Sequence, residues 1–300
     1  MRHFLDITTA SRADLQALIA DAVALAERPT DTRGRLAGRL LINLFFEPST
    51  RTRVSFDIAG RRLGMDVVNI TAQGSSMVKG ESLVDTFRTL EAMGPDVIVV
   101  RHADNGSAQL LAERAGDSVC VVNAGDGSHA HPSQALLDAV TLTRHFGDLA
   151  PLKVLIAGDL YHSRVAKSNI AMLKKLGVAE VRLAAPEALM PNERAREGTV
   201  CFDDFDRAVE GADVIMMLRI QRERMHGVHV PAEADYHAEW GLDARRLARA
   251  APGCVVMHPG PMNRGVEITS EVADGPQSLI LRQVRNGVFA RMAILSRLLA

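Results

Sequence analysis

The feature that most constrains this chain is the repeated return of a short apolar run followed by a segment of helical spacing. Leu40 to Phe46, Val67 to Ile70, Asp96 to Val100 and Val119 to Val122 read as strands in the first half. Val154 to Ala157, Val181 to Ala184, Val214 to Leu218 and Cys254 to Met257 do so in the second. The longer runs are near-continuously apolar rather than alternating, as expected of strands buried on both faces. Between them, Leu15, Leu18 and Ile19, then Phe56, Ala59 and Leu63, then Leu136, Leu137 and Val140 recur at helical spacing. Such alternation predicts an α/β chain with parallel sheets and right-handed crossovers. Ser11 with Asp14 and Ser82 with Asp85 read as capping boxes opening two of the helices. Leu279 to Leu299 reads as one long helix or two short ones, and residues 146–152 as a hinge. Residues 219–241 lack periodicity and read as a long charged loop, of the kind that is usually functional or mobile.

Each polar cluster falls where a strand ends: 47–53, 101, 123–134, 158–164, 219–224 and 258–261. Open parallel sheets bind ligands outside the carboxyl ends of their strands, so the coincidence predicts one composite active site. In the cluster at 47–53, Ser49, Thr50 and Thr52 supply hydroxyls and Arg51 and Arg53 supply forked donors. At a helix N-terminus these suit an anion such as phosphate. His131 and Gln134 are three apart, so one helical turn lets both face a ligand. Taken singly, each cluster has a plainer reading. Ser49 is equally an ordinary cap, His131 a surface histidine, and Arg101, Arg164, Arg219 and Lys79 solvated charges. His258-Pro259-Gly260-Pro261 is equally a rigid turn, and Met216, Met217 and Met257 read as core.

Composition narrows the chemistry. The 35 basic and 36 acidic residues leave no global field to attract nucleic acid or an anionic membrane. Neither a dinucleotide glycine fingerprint nor a P-loop follows any strand, and metal-ligand spacings are missing, so no cofactor or metal is expected. Cys120, Cys201 and Cys254 lie far apart beside apolar runs and read as buried free thiols in a reducing compartment. No apolar run approaches a membrane span and the N-terminus has no signal-like core, which predicts a cytoplasmic protein.

In order along the chain, F-F-E-P-S-T-R-T-R (45–53), K-G-E (79–81), V-R-H (100–102) and N-A-G-D-G-S-x-x-H-P-S-Q (123–134) resemble the aspartate/ornithine carbamoyltransferase superfamily. G-D-L (158–160) with Arg164, R-I-Q-R-E-R (219–224) and H-P-G-P (258–261) continue the match, which is similar above all to aspartate carbamoyltransferase catalytic chains. The resemblance implies two doubly wound parallel-sheet domains. Residues 1–145 would bind carbamoyl phosphate, completed by a C-terminal helix (279–300) packing back, and 146–278 would bind L-aspartate. It implies that Ser49, Thr50, Arg51 and Thr52 hold phosphate. Arg51, Thr52, Arg101 and His131 would be catalytic, with Thr52, Arg101 and His131 polarising the carbamoyl carbonyl. Gln134 and the carbonyls near Gly260 and Pro261 would receive the carbamoyl amine. Lys79, Arg164, Arg219 and Gln221 would bind aspartate, Ser75 and Lys79 arriving from the adjacent subunit of a homotrimer. A regulatory chain or dihydroorotase is a further implied partner, and no metal or cofactor is. Ornithine carbamoyltransferase, or an inactive homologue serving as a scaffold, are the alternatives.

Overall fold

Leu40–Phe45 (β1) runs parallel to Asp66–Thr71 (β2) on one side and Val97–His102 (β3) on the other, with Cys120–Asp126 (β4) beyond β3. The sheet order is therefore β2-β1-β3-β4. The computed structural model describes residues 1–28, 32–71, 80–221 and 232–300. Helices Arg12–Glu27 (α1), Thr50–Leu63 (α2), Leu83–Glu91 (α3), Ser107–Arg114 (α4) and Pro132–Phe146 (α5) alternate with these strands. The second sheet comprises Lys153–Ala157 (β5), Glu180–Ala184 (β6), Val200–Phe202 (β7), Val214–Met217 (β8) and Val255–Met257 (β9). Its strands are parallel and ordered β7-β6-β5-β8-β9. Helices Arg164–Leu176 (α6), Glu193–Arg196 (α7), Phe205–Val209 (α8), Glu233–Trp240 (α9), Ala244–Leu247 (α10), Ser270–Ala273 (α11) and Ile280–Leu298 (α12) complete the chain.

The chain divides into two compact units, Met1–Val140 with Val284–Ala300 and Thr141–Gln283, so the division falls inside α5 and inside α12. Local chemistry explains the helix ends. Ser11 and Ser82 each accept the N–H of the residue three on, at 3.1 Å, and each donates its hydroxyl to that aspartate's carboxylate. α2 ends where Gly64 turns left-handed at φ 88°. It also packs tightly on the sheet, because a Cβ at Gly60 would lie 2.8 Å from Leu41 and 2.9 Å from Val67. Leu41, Leu44, Phe56, Leu63, Val97, Ile98 and Val99 are wholly buried in the first unit; Val154, Leu155, Ile156, Ile215, Met216 and Met257 are so in the second.

The C-terminal tail is one helix, and it packs back on the first unit. Arg297 pairs with Asp21 at 2.6 Å, and the Arg291 guanidinium lies 5.0 Å from the Phe56 ring centre.

Three expectations change. Residues 123–126 continue β4 instead of opening a loop: Asn123, Ala124 and Asp126 are buried, and Asp126 pairs with His102. The stretch 219–241 holds a helix, α9, whose Tyr236 and Trp240 are buried four residues apart; residues 222–231 lie outside the described ones. Cys201 is exposed, because β7 is a three-residue edge strand with little cover. Cys254 is buried and Cys120 half-buried.

Candidate active site

Both sheets change winding direction between two central strands. In the first unit the chain leaves β1 for β2 on one side and returns to β3 on the other, so the crevice lies at the β1/β3 carboxyl ends. In the second the equivalent point is β5/β8. Arg51 follows β1 and Arg101 ends β3; Arg164 follows β5 and Arg219 follows β8. The topology thus brings one pair of arginines to each winding reversal.

In the first unit, Ser49 is the N-cap of α2, with extended backbone (φ −161°, ψ 92°), yet its hydroxyl makes no capping bond. The caps at Ser11, Ser82 and Ser163 all do. An ordinary cap would use that hydroxyl to satisfy a helix N–H. Thr52 is buried one turn in, while Arg51 and Thr50 are exposed. The Arg101 Nε lies 3.4 Å from Glu47 Oε2, and its Nη1 donates to the Ala124 carbonyl at 3.0 Å. Phe46 N–H donates to the Arg101 carbonyl at 2.8 Å, tying the two strand ends together.

His131 and Gln134 are both buried at the start of α5, and Gln134 N–H donates to the His131 carbonyl at 3.0 Å. Pro132 occupies the first helical position, where its missing N–H costs nothing. Gln134 Nε2 donates to buried Asp138 at 3.0 Å. That bond fixes the amide, so Oε1 is the end left to accept an N–H from a ligand. Arg291, on α12, reaches Ser133 Oγ at 3.5 Å and the Gly287 carbonyl at 3.0 Å. Burial pushes its guanidinium down to about 9, against the opposing pull of the Asp138 carboxylate. The loop before α5 is organised by buried Asp126, whose carboxylate accepts Gly106 N–H (2.9 Å) and Ala130 N–H (3.1 Å).

In the second unit, Arg164 is buried at the start of α6, where Ser163 caps by accepting Ala166 N–H at 3.1 Å. Buried Asp159 links the β5 and β8 ends: Oδ1 accepts His162 N–H (3.1 Å) and lies 2.9 Å from His162 Nδ1, while Oδ2 accepts Gln221 N–H (3.3 Å). Gly158 permits this junction, with φ 124° and the Leu218 carbonyl where a Cβ would stand. After β9, His258 is buried, Gly260 is half-buried and Pro261 exposed, with a cis peptide between the last two.

The structure thus gathers Ser49, Thr50, Arg51, Thr52, Arg101, His131 and Gln134 on strand ends or helix starts of the first unit. Arg164, Arg219, Gln221, Gly260 and Pro261 hold corresponding positions in the second. Ser75 and Lys79 lie outside the described residues. Sequence reading quoted Glu47 and Asp159 within motifs without giving either a role, and passed over Asp138, Glu267 and Arg291. Arg291 did carry a signal, being a lone cation inside the run Val288 to Leu295.

The family model described as aspartate/ornithine carbamoyltransferase, carbamoyl-P binding domain, matches residues 2–144, and its Asp/Orn binding domain counterpart matches 150–298. The chain is 54% identical over 300 residues to the aspartate carbamoyltransferase catalytic subunit of Methylorubrum extorquens (strain PA1), covering 99% of this chain and 94% of that protein. It is 54% identical over 303 residues to the subunit of the same name from Caulobacter vibrioides, covering 100% and 90%. Among solved structures, aspartate transcarbamoylase from Trypanosoma cruzi in complex with carbamoyl aspartate and phosphate superposes with a TM-score of 0.89 at 33% identity, covering 100% of this chain and 96% of that one. The same enzyme in complex with N-(phosphonacetyl)-L-aspartic acid gives an equal TM-score of 0.89, again at 33% identity and with coverage of 100% and 96%. The chain belongs to the aspartate/ornithine carbamoyltransferase family.

Proposed function

We propose that this protein transfers the carbamoyl group of carbamoyl phosphate to the amine of L-aspartate, giving N-carbamoyl-L-aspartate and phosphate, a step of de novo pyrimidine biosynthesis. The observation that carries the reading is the pair of arginines at each sheet's winding reversal, Arg51 with Arg101 and Arg164 with Arg219. Carbamoyl phosphate brings about two negative charges and aspartate with a neutral amine about two more. Like charges about 4 Å apart repel by about 4 kcal/mol at an effective dielectric near 20. Two arginines in each unit, one pair for each substrate, supply the cations that offset that repulsion.

In this reading Ser49, Thr50, Arg51 and Thr52 take the phosphate at the start of α2. Thr52, Arg101 and His131 polarise the carbamoyl carbonyl and stabilise the oxyanion that forms on attack. Gln134 Oε1 and the Gly260 and Pro261 carbonyls accept the carbamoyl amine's N–H groups. Arg164, Arg219 and Gln221 hold the carboxylates of aspartate. The aspartate amine attacks the carbamoyl carbon, the C–O bond to phosphate breaks, and phosphate leaves with the amine proton. The chain would act as a cytoplasmic homotrimer, with Ser75 and Lys79 completing a neighbour's site, and with a regulatory chain or dihydroorotase as a further partner.

Phosphate release with aspartate and with ornithine as acceptor tests the reading. Turnover with aspartate alone is expected. Preference for ornithine, or no turnover with either, would overturn it.

A further inference from the structure

We infer that Glu267 and His258 form a positioning pair that sets the Gly260–Pro261 carbonyls, a role resting on the proposal that these carbonyls receive the carbamoyl amine. The His258 ring has a defined proton arrangement. Its Nδ1 accepts the Gly260 N–H at 2.8 Å, so that nitrogen carries no hydrogen. The ring proton therefore sits on Nε2, which lies 3.2 Å from Glu267 Oε1. Both side chains have 0% exposure, so a carboxylate facing Nε2 holds this tautomer without competition from bulk water.

The same oxygen accepts the Asn263 N–H at 2.5 Å. One carboxylate oxygen thus grips both ends of the segment from His258 to Asn263, with Gly260 and Pro261 between the two grips. The His258 N–H is fixed separately, donating to Gln283 Oε1 at 2.9 Å. If the proton moved to Nδ1, it would point at the Gly260 N–H, and the turn would have to open.

Glu267 is itself no acid or base for the reaction. It is fully buried, and the oxygen that faces the turn already receives two N–H donors. Its effect is exerted through carbonyl placement, where a misplacement of about 1 Å can cost on the order of 100-fold in rate.

Two measurements test the pair. In protein labelled with 15N-histidine, the His258 signal, assigned by its loss in His258→Gln, should report protonated Nε2 and bare Nδ1 from pH 6 to 9. A protonated Nδ1 in the unaltered protein would overturn the inference, whatever the enzyme's acceptor. The Glu267→Leu variant, which keeps most of the side-chain volume but removes the acceptor, should stay folded by circular dichroism, show an Nδ1-protonated fraction, and lose kcat about 10- to 100-fold. Its carbamoyl phosphate affinity should stay within about threefold. An unchanged tautomer, or kcat within about twofold of the unaltered enzyme, would sink the inference while leaving the aspartate assay, and the function it tests, untouched.

Discussion

The Arg101 guanidinium is held between a side chain and a main-chain group: Nε lies 3.4 Å from Glu47 Oε2, and Nη1 bonds the Ala124 carbonyl at 3.0 Å. Glu47 stands two residues before Ser49, so one acidic side chain ties the β3 arginine to the turn that follows β1, the proposed phosphate site. Removing it releases Arg101 from that orientation without emptying the core. Glu47→Ala should lower kcat about 10- to 100-fold at an unchanged unfolding midpoint. Steady-state kinetics beside thermal denaturation checks both halves of that statement.

Arg246 supports α9 from below. Its guanidinium donates to the carbonyls of His237 (3.3 Å), Ala238 (2.8 Å), Glu239 (3.0 Å) and Gly241 (2.7 Å), and Nε reaches Asp206 at 2.9 Å. These include the last carbonyls of a helix, which need partners when buried. Arg246→Ala should cost about 2–4 kcal/mol, read by urea unfolding. Arg246→Lys should recover little of it, because one ammonium cannot replace the fork.

The thiols differ sharply. Burial pushes the Cys254 thiol up to about 12, while Cys201 is exposed. At pH 8 the Cys254 thiolate fraction is therefore on the order of 1 in 10,000. Iodoacetamide at pH 8 should label Cys201 and leave Cys254 intact until denaturant is added, as peptide mass mapping would reveal. The folded pKa of Cys254 lies above the unfolded value near 8.5, so its contribution to stability is full below about pH 8.5 and fades toward pH 12. Cys254→Ala should accordingly lose less stability than the unaltered protein between those limits.

If neighbouring subunits share sites, Lys79→Ala and Arg51→Ala variants, each inactive, should regain activity when mixed, dissociated and reassembled. Hybrid trimers then contain sites with both residues intact. Zero recovery in trimers shown to be mixed by native mass spectrometry would contradict shared sites.

Most of the architecture was legible because it rests on local signals. Val214–Met217 is buried throughout with no polar residue, and Leu40–Phe45 is interrupted only by the buried Asn43. Ser11 and Ser82 announce their helices three residues ahead of an aspartate. β7 was missed because three residues, Val200–Phe202, give too short a run at a sheet edge. α9 was missed because only Tyr236 and Trp240 mark its buried face within a charged stretch. The residues proposed to bind anions were visible as motifs, but their supports were not. Arg291 of α12 meets Ser133 of α5 across 158 positions and Arg101 of β3 meets Ala124 of β4 across 23, pairings that only the fold creates. That Ser49 caps α2 without using its hydroxyl also lay beyond the sequence, since its spelling matches an ordinary cap.

The central claim is that the arginine pair of each unit serves a different substrate. Calorimetric titration of carbamoyl phosphate into Arg51→Ala and Arg219→Ala proteins tests it most directly. Arg51→Ala should lose affinity by about 100-fold or more, the loss of a charge-assisted fork on phosphate, while Arg219→Ala should bind as the unaltered protein does. Unaltered affinity in Arg51→Ala, or equal losses in both, would contradict the account.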